Sequence, residues 1–272
     1  MGSARRVNDW NDKVVVVTGA SRGLGAAVAR AFARRGARVA LLARSGPDLR
    51  RLADEISASG GHAACWPMDL CDWPAVRRTL HEVADHWGRI DVLVCAAGTK
   101  REGTVEQASL EDALDTLRVN YLGVLVCCQA VLPIMRRQGG GHVIPVSSVL
   151  GKRATPQRGL YAASKAALNA LTDALRVEVA PDGIAVTLVC PGRLAQAHEP
   201  PGLTAMAVDE AAERIVRCAE RRPREIVLSG AARGLVAWHE RAPGLLDRVL
   251  SAWRRLERRP PRIRRAADGA MS

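Results

Sequence analysis

The sequence predicts an α/β fold, a doubly wound parallel sheet of seven strands with helices on both faces. Three observations carry that expectation. Short apolar runs near residues 14–18, 38–43, 62–67, 91–95, 142–148, 184–190 and 225–228 alternate with longer stretches of helical periodicity. The first run ends in a turn with three glycines, Gly19, Gly23 and Gly25, followed by an alanine-rich helical pattern. A chain of 272 residues that is 48% hydrophobic is also long enough for one α/β domain with a sizeable core.

The run Val14-Val15-Val16-Val17-Thr18 reads as a strand buried on both faces. The glycines after it permit tight turn geometry and close approach of a ligand. The helix that follows presents free N–H groups and the positive end of its dipole, which together favour a phosphate. This is the pattern of a dinucleotide site. The second strand ends in Ala43 and Arg44, where a carboxylate would bind an unmodified adenine ribose and repel a 2′-phosphate. Arg44 and Arg22 suit a phosphate instead, so the pattern favours NADP(H) over NAD(H).

The third strand leads to Asp69 and Leu70, and the fourth to Cys95-Ala96-Ala97-Gly98. A helix over Asp112 to Cys128 carries Asn120, and the fifth strand runs into Ser147-Ser148. Pro145 within that strand removes a ladder donor and points to a local bulge. Tyr161 and Lys165 are four residues apart in a helical stretch, so phenol and ammonium share one face. A cation beside a phenol lowers its pKa and suits it to general acid or base work. The sixth strand ends before Pro191-Gly192, a helix starts near Asp209, and the last strand follows at 225–228.

With these residues in place, the chain resembles the short-chain dehydrogenase/reductase family, in its single-domain, Rossmann-type form, over roughly residues 12 to 230. Thr18-Gly19-x-x-x-Gly23-x-Gly25 matches the family's cofactor motif. Asn120, Ser148, Tyr161 and Lys165 match its catalytic tetrad in order and spacing. The resemblance implies cofactor contacts from Gly19, Ser21, Arg22, Gly23, Leu24, Gly25, Arg44, Asp69, Leu70, Ala97, Gly98, Tyr161, Lys165, Pro191, Gly192 and Leu194. It implies that Ser148 bonds the substrate oxygen and Tyr161 transfers the proton. Lys165 would lower the tyrosine pKa and hold the nicotinamide ribose, and Asn120 would anchor a water. Two positions depart from the pattern. Cys95 and Ala96 stand where the family usually has two asparagines that brace the sheet. Gln196 stands where a threonine often meets the carboxamide.

The six histidines are scattered and the seven cysteines show no metal spacing, so no metal is expected and the cysteines read as buried hydrophobes of a reducing, cytoplasmic compartment. There is no run of 18 uncharged apolar residues and no apolar signal core at the N-terminus. The chain divides into an extension over 1–12, a catalytic domain over 13–230 and a basic tail over 231–272. Nine arginines and two acids from Arg241 to Arg265 place seven of the formal twelve positive charges in that tail. It reads as an amphipathic helix. Either it packs on the body or another subunit, burying Trp238, Leu246, Leu250 and Trp253, with the end from Arg258 disordered, or it rests on an anionic membrane. Packing is preferred because those apolar residues need cover. Nucleic acid is disfavoured for want of a stacking pattern.

The function expected is a ketone or aldehyde reductase, or the reverse alcohol dehydrogenase, assembled as a homodimer or homotetramer. Its pocket walls would come from loops near 99–104, 149–158 and 193–206. The short segment between Pro191 and Asp209 suggests an open cleft for bulky or carrier-linked substrates. The alternative is a non-catalytic NADP-binding sensor or scaffold, which would not need Tyr161 and Lys165 together.

Overall fold

The two faces of the sheet follow from the first strand. In the computed structural model, which describes residues 10–195 and 205–257 apart from the side chains at 253, 254, 256 and 257, all five residues of β1 (Val14–Thr18) are buried. Side chains alternate along a strand, so neighbours enter different cores. Val15 and Val17 pack with Val28 and Phe32 of α1 (Gly23–Ala33), and Val14 and Val16 pack on the opposite side.

The chain then runs through β2 (Arg38–Ala43), α2 (Gly46–Ala58), β3 (His62–Pro67), α3 (Trp73–Trp87) and β4 (Val92–Cys95). Next come α4 (Leu110–Leu117), a π-helical turn over Arg118–Leu122 and α5 (Gly123–Arg137). β5 (Gly141–Pro145), α6 (Gly159–Val179), β6 (Ile184–Val186) and β7 (Leu188–Cys190) follow. The short β8 (Arg193–Leu194) and β9 (Ala205–Met206) pair with each other, and α7 (Val208–Arg221), β10 (Glu225–Val227), α8 (Gly230–Arg241) and α9 (Pro243–Glu257) complete the order.

Strands β3-β2-β1-β4-β5-β6 form one parallel sheet. Helices α1, α2 and α7 supply Phe32, Leu49 and Ile215 to one core; α3, α5 and α6 supply Leu80, Val131 and Leu168 to the other. The chain reverses strand order between β1 and β4, which puts the ligand crevice at the C-terminal ends of those two strands.

The expected seventh strand is present but set apart. β10 pairs in parallel with β7, and β7 is separated from β6 at Thr187. Pro145 accounts for the break. On one side of it the Thr187 amide donates to Val143, and on the other the Ser147 amide donates to Val189. The bond between them would need an N–H on Pro145, which proline lacks. No bulge forms: Cys95 and Pro145 stay in register with the rest of the β4–β5 ladder. The expected bulge is therefore replaced by a gap in the neighbouring ladder.

The same corner buries His142. Its Nε2 lies 2.9 Å from the Thr187 hydroxyl, which itself donates to Pro223 at 2.5 Å, so the neutral imidazole donates through Nε2. Burial, helped by the Arg222 charge, pushes its pKa from 6.5 down to about 3. A depressed histidine pKa means the unfolded chain takes up a proton that the folded chain refuses. This contribution to stability is complete above pH 6.5 and is lost as the pH falls toward 3. The loss at the limit is on the order of 5 kcal/mol. Melting curves across that window should fall less steeply for His142→Leu than for the parent; equal slopes would rule out His142 as the source.

The continuous helical segment Leu110–Arg137 is, among the described residues, the one long and apolar enough to cross a membrane by composition, although it holds no uninterrupted run of 18 uncharged apolar residues. Half of its most apolar stretch is buried in this protein, where α5 packs against α3 and the sheet. The tail is partly packed. Ala232 of α8 joins Val149, Leu188 and Cys190 in a small core, and Leu246 of α9 is 1% exposed. Leu250 is half-buried, but Trp238 is 39% exposed, against the expectation that it would be covered. The side chains of Trp253 and Leu256, and the chain from Arg258 onward, lie outside the described residues.

Candidate active site

The glycine turn is built by contact between backbones. Gly19 has φ +71°, and a Cβ there would stand 2.6 Å from the Ala97 Cα. A Cβ on Gly25 would stand 2.2 Å from the Gly19 carbonyl oxygen. The first helical turn therefore sits directly on the loop after β1, and that loop sits directly on the end of β4. The Ala97 amide donates to the Thr18 hydroxyl at 3.3 Å, joining the two strand ends. The N-cap residue of α1 is Arg22, which offers no side-chain acceptor, and the first turn holds no acid. Its N–H groups are thus left to an external anion, and its dipole favours one. A nicotinamide dinucleotide fits this donor set through its pyrophosphate.

Ser21 and Leu24 are half-buried beside the turn, and Gly23 (φ +56°) faces open space. Arg22 and Arg44 are exposed, and among the described residues neither is paired with a carboxylate. Ser45 caps α2 by accepting from the Asp48 amide at 3.4 Å, which fixes the loop carrying Arg44. Asp69 is exposed and accepts from the Cys71 amide at 2.9 Å, while Leu70 packs against Gly123. Pro191 and Gly192 follow β7, with Gly192 close against Ser229, and Leu194 is half-buried in β8. Gln196 lies outside the described residues.

Asn120, Ser148, Tyr161 and Lys165 meet at the C-terminal end of the sheet. Asn120 is fully buried on the π-helical turn and is held on three sides. Its Oδ1 accepts from the Thr99 amide at 2.9 Å, and its Nδ2 donates to the Thr99 carbonyl at 2.8 Å and to the Ser164 hydroxyl at 2.9 Å. Turns of this kind inside α-helices are common at functional sites. Here it interrupts α4–α5 where Asn120 must bridge the loop after β4 and α6. A Cβ on Gly98 would be 3.3 Å from Asn120 Oδ1 and 3.7 Å from Lys165 Nζ, so the three groups adjoin.

Lys165 is 3% exposed and donates from Nζ to the Val146 carbonyl at 2.9 Å. Burial lowers its pKa to about 8. Nζ lies 5.8 Å from the centre of the Tyr161 ring. Ser148 is buried at the start of a 3₁₀ turn and accepts from the Leu150 amide at 3.1 Å, with its hydroxyl close enough to Tyr161 to oppose the rise in its pKa. The Tyr161 pKa is raised: burial pushes it up, and the bonds and charges of Ser148 and Arg158 only partly oppose that. The net direction is therefore upward, the opposite of the lowering expected. The ammonium is spent on Val146 and faces the ring from a distance, so desolvation of the phenol decides the sign.

Several supporting residues escape a reading of motifs. Ser147 donates to Asn169 at 2.6 Å, and Asn169 donates to the Gly151 carbonyl at 3.1 Å, tying the serine turn to α6. The only trace in the sequence is Asn169 lying one helical turn beyond Lys165. Thr99 and Ser164, which fix Asn120, carry no signature.

A family model described as short chain dehydrogenase matches residues 13–200. The chain belongs to the short-chain dehydrogenase family. It is 32% identical to "Dehydrogenase/reductase SDR family member 7B" of Bos taurus, over 90% of this chain and 82% of that one. It is 36% identical to "3-oxoacyl-[acyl-carrier-protein] reductase" of Homo sapiens, over 66% and 75% of the two chains. Among solved structures it is similar to a metagenomic short-chain oxidoreductase in complex with NADP, at 32% identity and a TM-score of 0.74, covering 81% of this chain and 98% of that one. The family is one of oxidoreductases with nicotinamide cofactors, and the parallel sheet agrees with it.

The departure at Cys95-Ala96 has a structural answer. Cys95 is buried at the end of β4, and the neighbouring Cys128 thiol of α5 and burial together raise its pKa well above the usual thiol value. The bridge from this loop to β1 is made by the Thr18 hydroxyl and the Ala97 amide.

Proposed function

We propose that this dehydrogenase interconverts a carbonyl compound and its alcohol with NADP(H), acting chiefly as a reductase. The observation that carries the reading is the convergence of Ser148, Tyr161 and Lys165 on one crevice with the glycine turn. When bound, NADP(H) supplies or accepts the hydride. Ser148 donates a hydrogen bond to the carbonyl oxygen, where negative charge collects in the transition state. Tyr161 gives that oxygen its proton. Burial keeps the phenol protonated at neutral pH, the form a donor requires. Lys165, with an ammonium close to its own pKa, stabilises the phenolate left behind. Asn120, pinned by Thr99 and Ser164, positions Lys165 and the loop after β4. A sensor or scaffold would have no use for an ammonium buried under a tyrosine. An assay of NADPH loss over a panel of ketones and aldehydes tests the reading; no turnover with any of them would count against it.

Arg22 and Arg44 support NADP(H) over NAD(H), because neither is neutralised and no acid ends β2. Gly19, Ser21, Gly23, Leu24, Gly25, Asp69, Leu70, Ala97, Gly98, Pro191, Gly192 and Leu194 would complete the cofactor's surroundings. In Arg44→Asp, a charge-assisted bond worth roughly 1.5–3 kcal/mol gives way to repulsion, so the ratio of kcat/KM for NADPH to that for NADH should fall at least about tenfold. An unchanged ratio would remove Arg44 from the 2′-phosphate site. The homo-oligomer proposal is supported by exposed Leu110 and Leu114 on α4 and Val177 on α6. A cytoplasmic location remains a proposal supported by seven free cysteines, and contact of the basic tail with anionic membrane by its charge.

A further inference from the structure

Arg158 stands where two parts of the active site meet. It is the N-cap residue of α6, and its carbonyl accepts from the Ala162 amide at 2.9 Å. Tyr161 follows three positions later, so the two side chains leave neighbouring places on the helix surface. From the other side, the Arg158 guanidinium pairs with Glu102 at 2.7 Å, and the Gly103 amide donates to the Gln157 carbonyl at 3.0 Å. Glu102 and Gly103 belong to the loop after β4, where Thr99 is bonded to Asn120 through both its amide and its carbonyl. One short loop therefore ties Asn120 to the turn that launches Tyr161. Gln157 holds φ +65°, a left-handed backbone that a non-glycine residue keeps only where its neighbours enforce it.

The charges facing the phenol differ in how long they last as the pH rises. Lys165 Nζ lies 5.8 Å from the ring centre, but burial lowers its pKa to about 8. The phenol titrates above its ordinary value of 10.0, so Lys165 is already neutral when Tyr161 ionises. Of the other groups facing the phenol, the Ser148 hydroxyl lowers its pKa and the Cys190 thiol raises it. An arginine keeps its charge throughout this range. Arg158 is accordingly the cation that opposes the rise in the Tyr161 pKa. Its partner Glu102 is 51% exposed and also faces Lys100 at 3.6 Å, so the guanidinium is only partly neutralised.

We propose that Arg158 is a positioning residue for the reduction: its pair with Glu102 sets the start of α6 against the loop after β4, and its lasting charge steadies the Tyr161 oxygen once the proton has gone. The inference rests on the proposed reductase reading, in which Tyr161 is the donor. Ion pairs this exposed add little to stability, so the value of the pair lies in where it puts the charge. At neutral pH Lys165 and Arg158 act together on the phenolate. Above about pH 8 Arg158 acts without Lys165.

The test reads the phenolate by its ultraviolet absorbance as the full-length protein is titrated with base, with circular dichroism to confirm that it stays folded. The chain has two tyrosines, and the same titration of Tyr161→Phe gives the Tyr121 signal to subtract. Arg158→Gln should move the Tyr161 midpoint up, because it removes the cation. Glu102→Gln should move it down, because it frees the cation from its counter-charge. A merely structural clamp is broken by either change and would move both midpoints the same way. Turnover with NADPH gives a second readout. In Arg158→Gln, kcat should fall about two- to tenfold more at about pH 9 than at neutral pH, the scale for one charge acting near a protein surface, and Arg158→Lys should recover it. Midpoints that move together, or that do not move in either variant, would overturn the assignment. Opposite shifts in a protein that reduces no carbonyl compound would keep the charge of Arg158 on Tyr161 and sink the reductase reading.

Discussion

Tyr161→Phe is expected to lower turnover by about 10²–10⁴-fold, the usual contribution of a positioned general acid, while NADPH binding persists. The change removes one oxygen and keeps the ring over Lys165 Nζ, 5.8 Å away. Ser148 keeps the bond from the Leu150 amide at 3.1 Å, so the serine turn stays in place. A fall in kcat without a matching rise in the NADPH dissociation constant separates proton donation from a structural role. Near-normal turnover would mean that another group supplies the proton. The raised phenol pKa adds a pH prediction. Reduction should hold level from acid to neutral pH, decline first as Lys165 loses its charge near pH 8, and fall further as Tyr161 deprotonates above the ordinary phenol value.

Gly25→Ala should also be damaging, by a different route. Its Cβ would lie 2.2 Å from the Gly19 carbonyl oxygen, a backbone atom that can move only by opening the turn that presents N–H groups to phosphate. Overpacking of this kind costs about 1–3 kcal/mol, which corresponds to roughly a five- to hundredfold loss of NADPH affinity. Gly23→Ala makes a direct contrast. A Cβ there meets nothing within 4 Å, and the cost is only that of a left-handed backbone at φ +56°, about 1–2 kcal/mol. Fluorescence titration with NADPH, with melting curves as a control, should rank Gly25→Ala well below Gly23→Ala. The reverse order would show that the turn is not built by this contact.

The sheet was legible because its strands are short, apolar and bounded by turn residues; β1, β2 and β3 have the expected ends. The break at Thr187 was not, although Pro145 was visibly awkward. A sequence shows that a donor is missing, but not which neighbour would have received it. The tetrad was legible as spacing, whereas the partners that fix it come from far along the chain: Thr99 lies 21 residues before Asn120 and Ser164 lies 44 after. The net direction of the Tyr161 shift was not legible for a related reason. A nearby lysine can be counted from the sequence, but burial of the phenol comes from tertiary packing. The helical tail was seen as amphipathic, yet its seat beside the 149–158 loop depends on Arg153 meeting Asp247, a pairing that charge patterning does not disclose.

The central claim is hydride transfer between NADP(H) and a carbonyl carbon, with Tyr161 as proton donor. It is tested most directly by incubating the enzyme with NADPH carrying deuterium at the transferable position and a panel of ketones, then analysing the alcohols by mass spectrometry. The account predicts one deuterium on the carbinol carbon of the product, formed by the parent enzyme and nearly abolished in Tyr161→Phe. Unlabelled alcohol, or no alcohol from a protein that still binds NADPH, would contradict it.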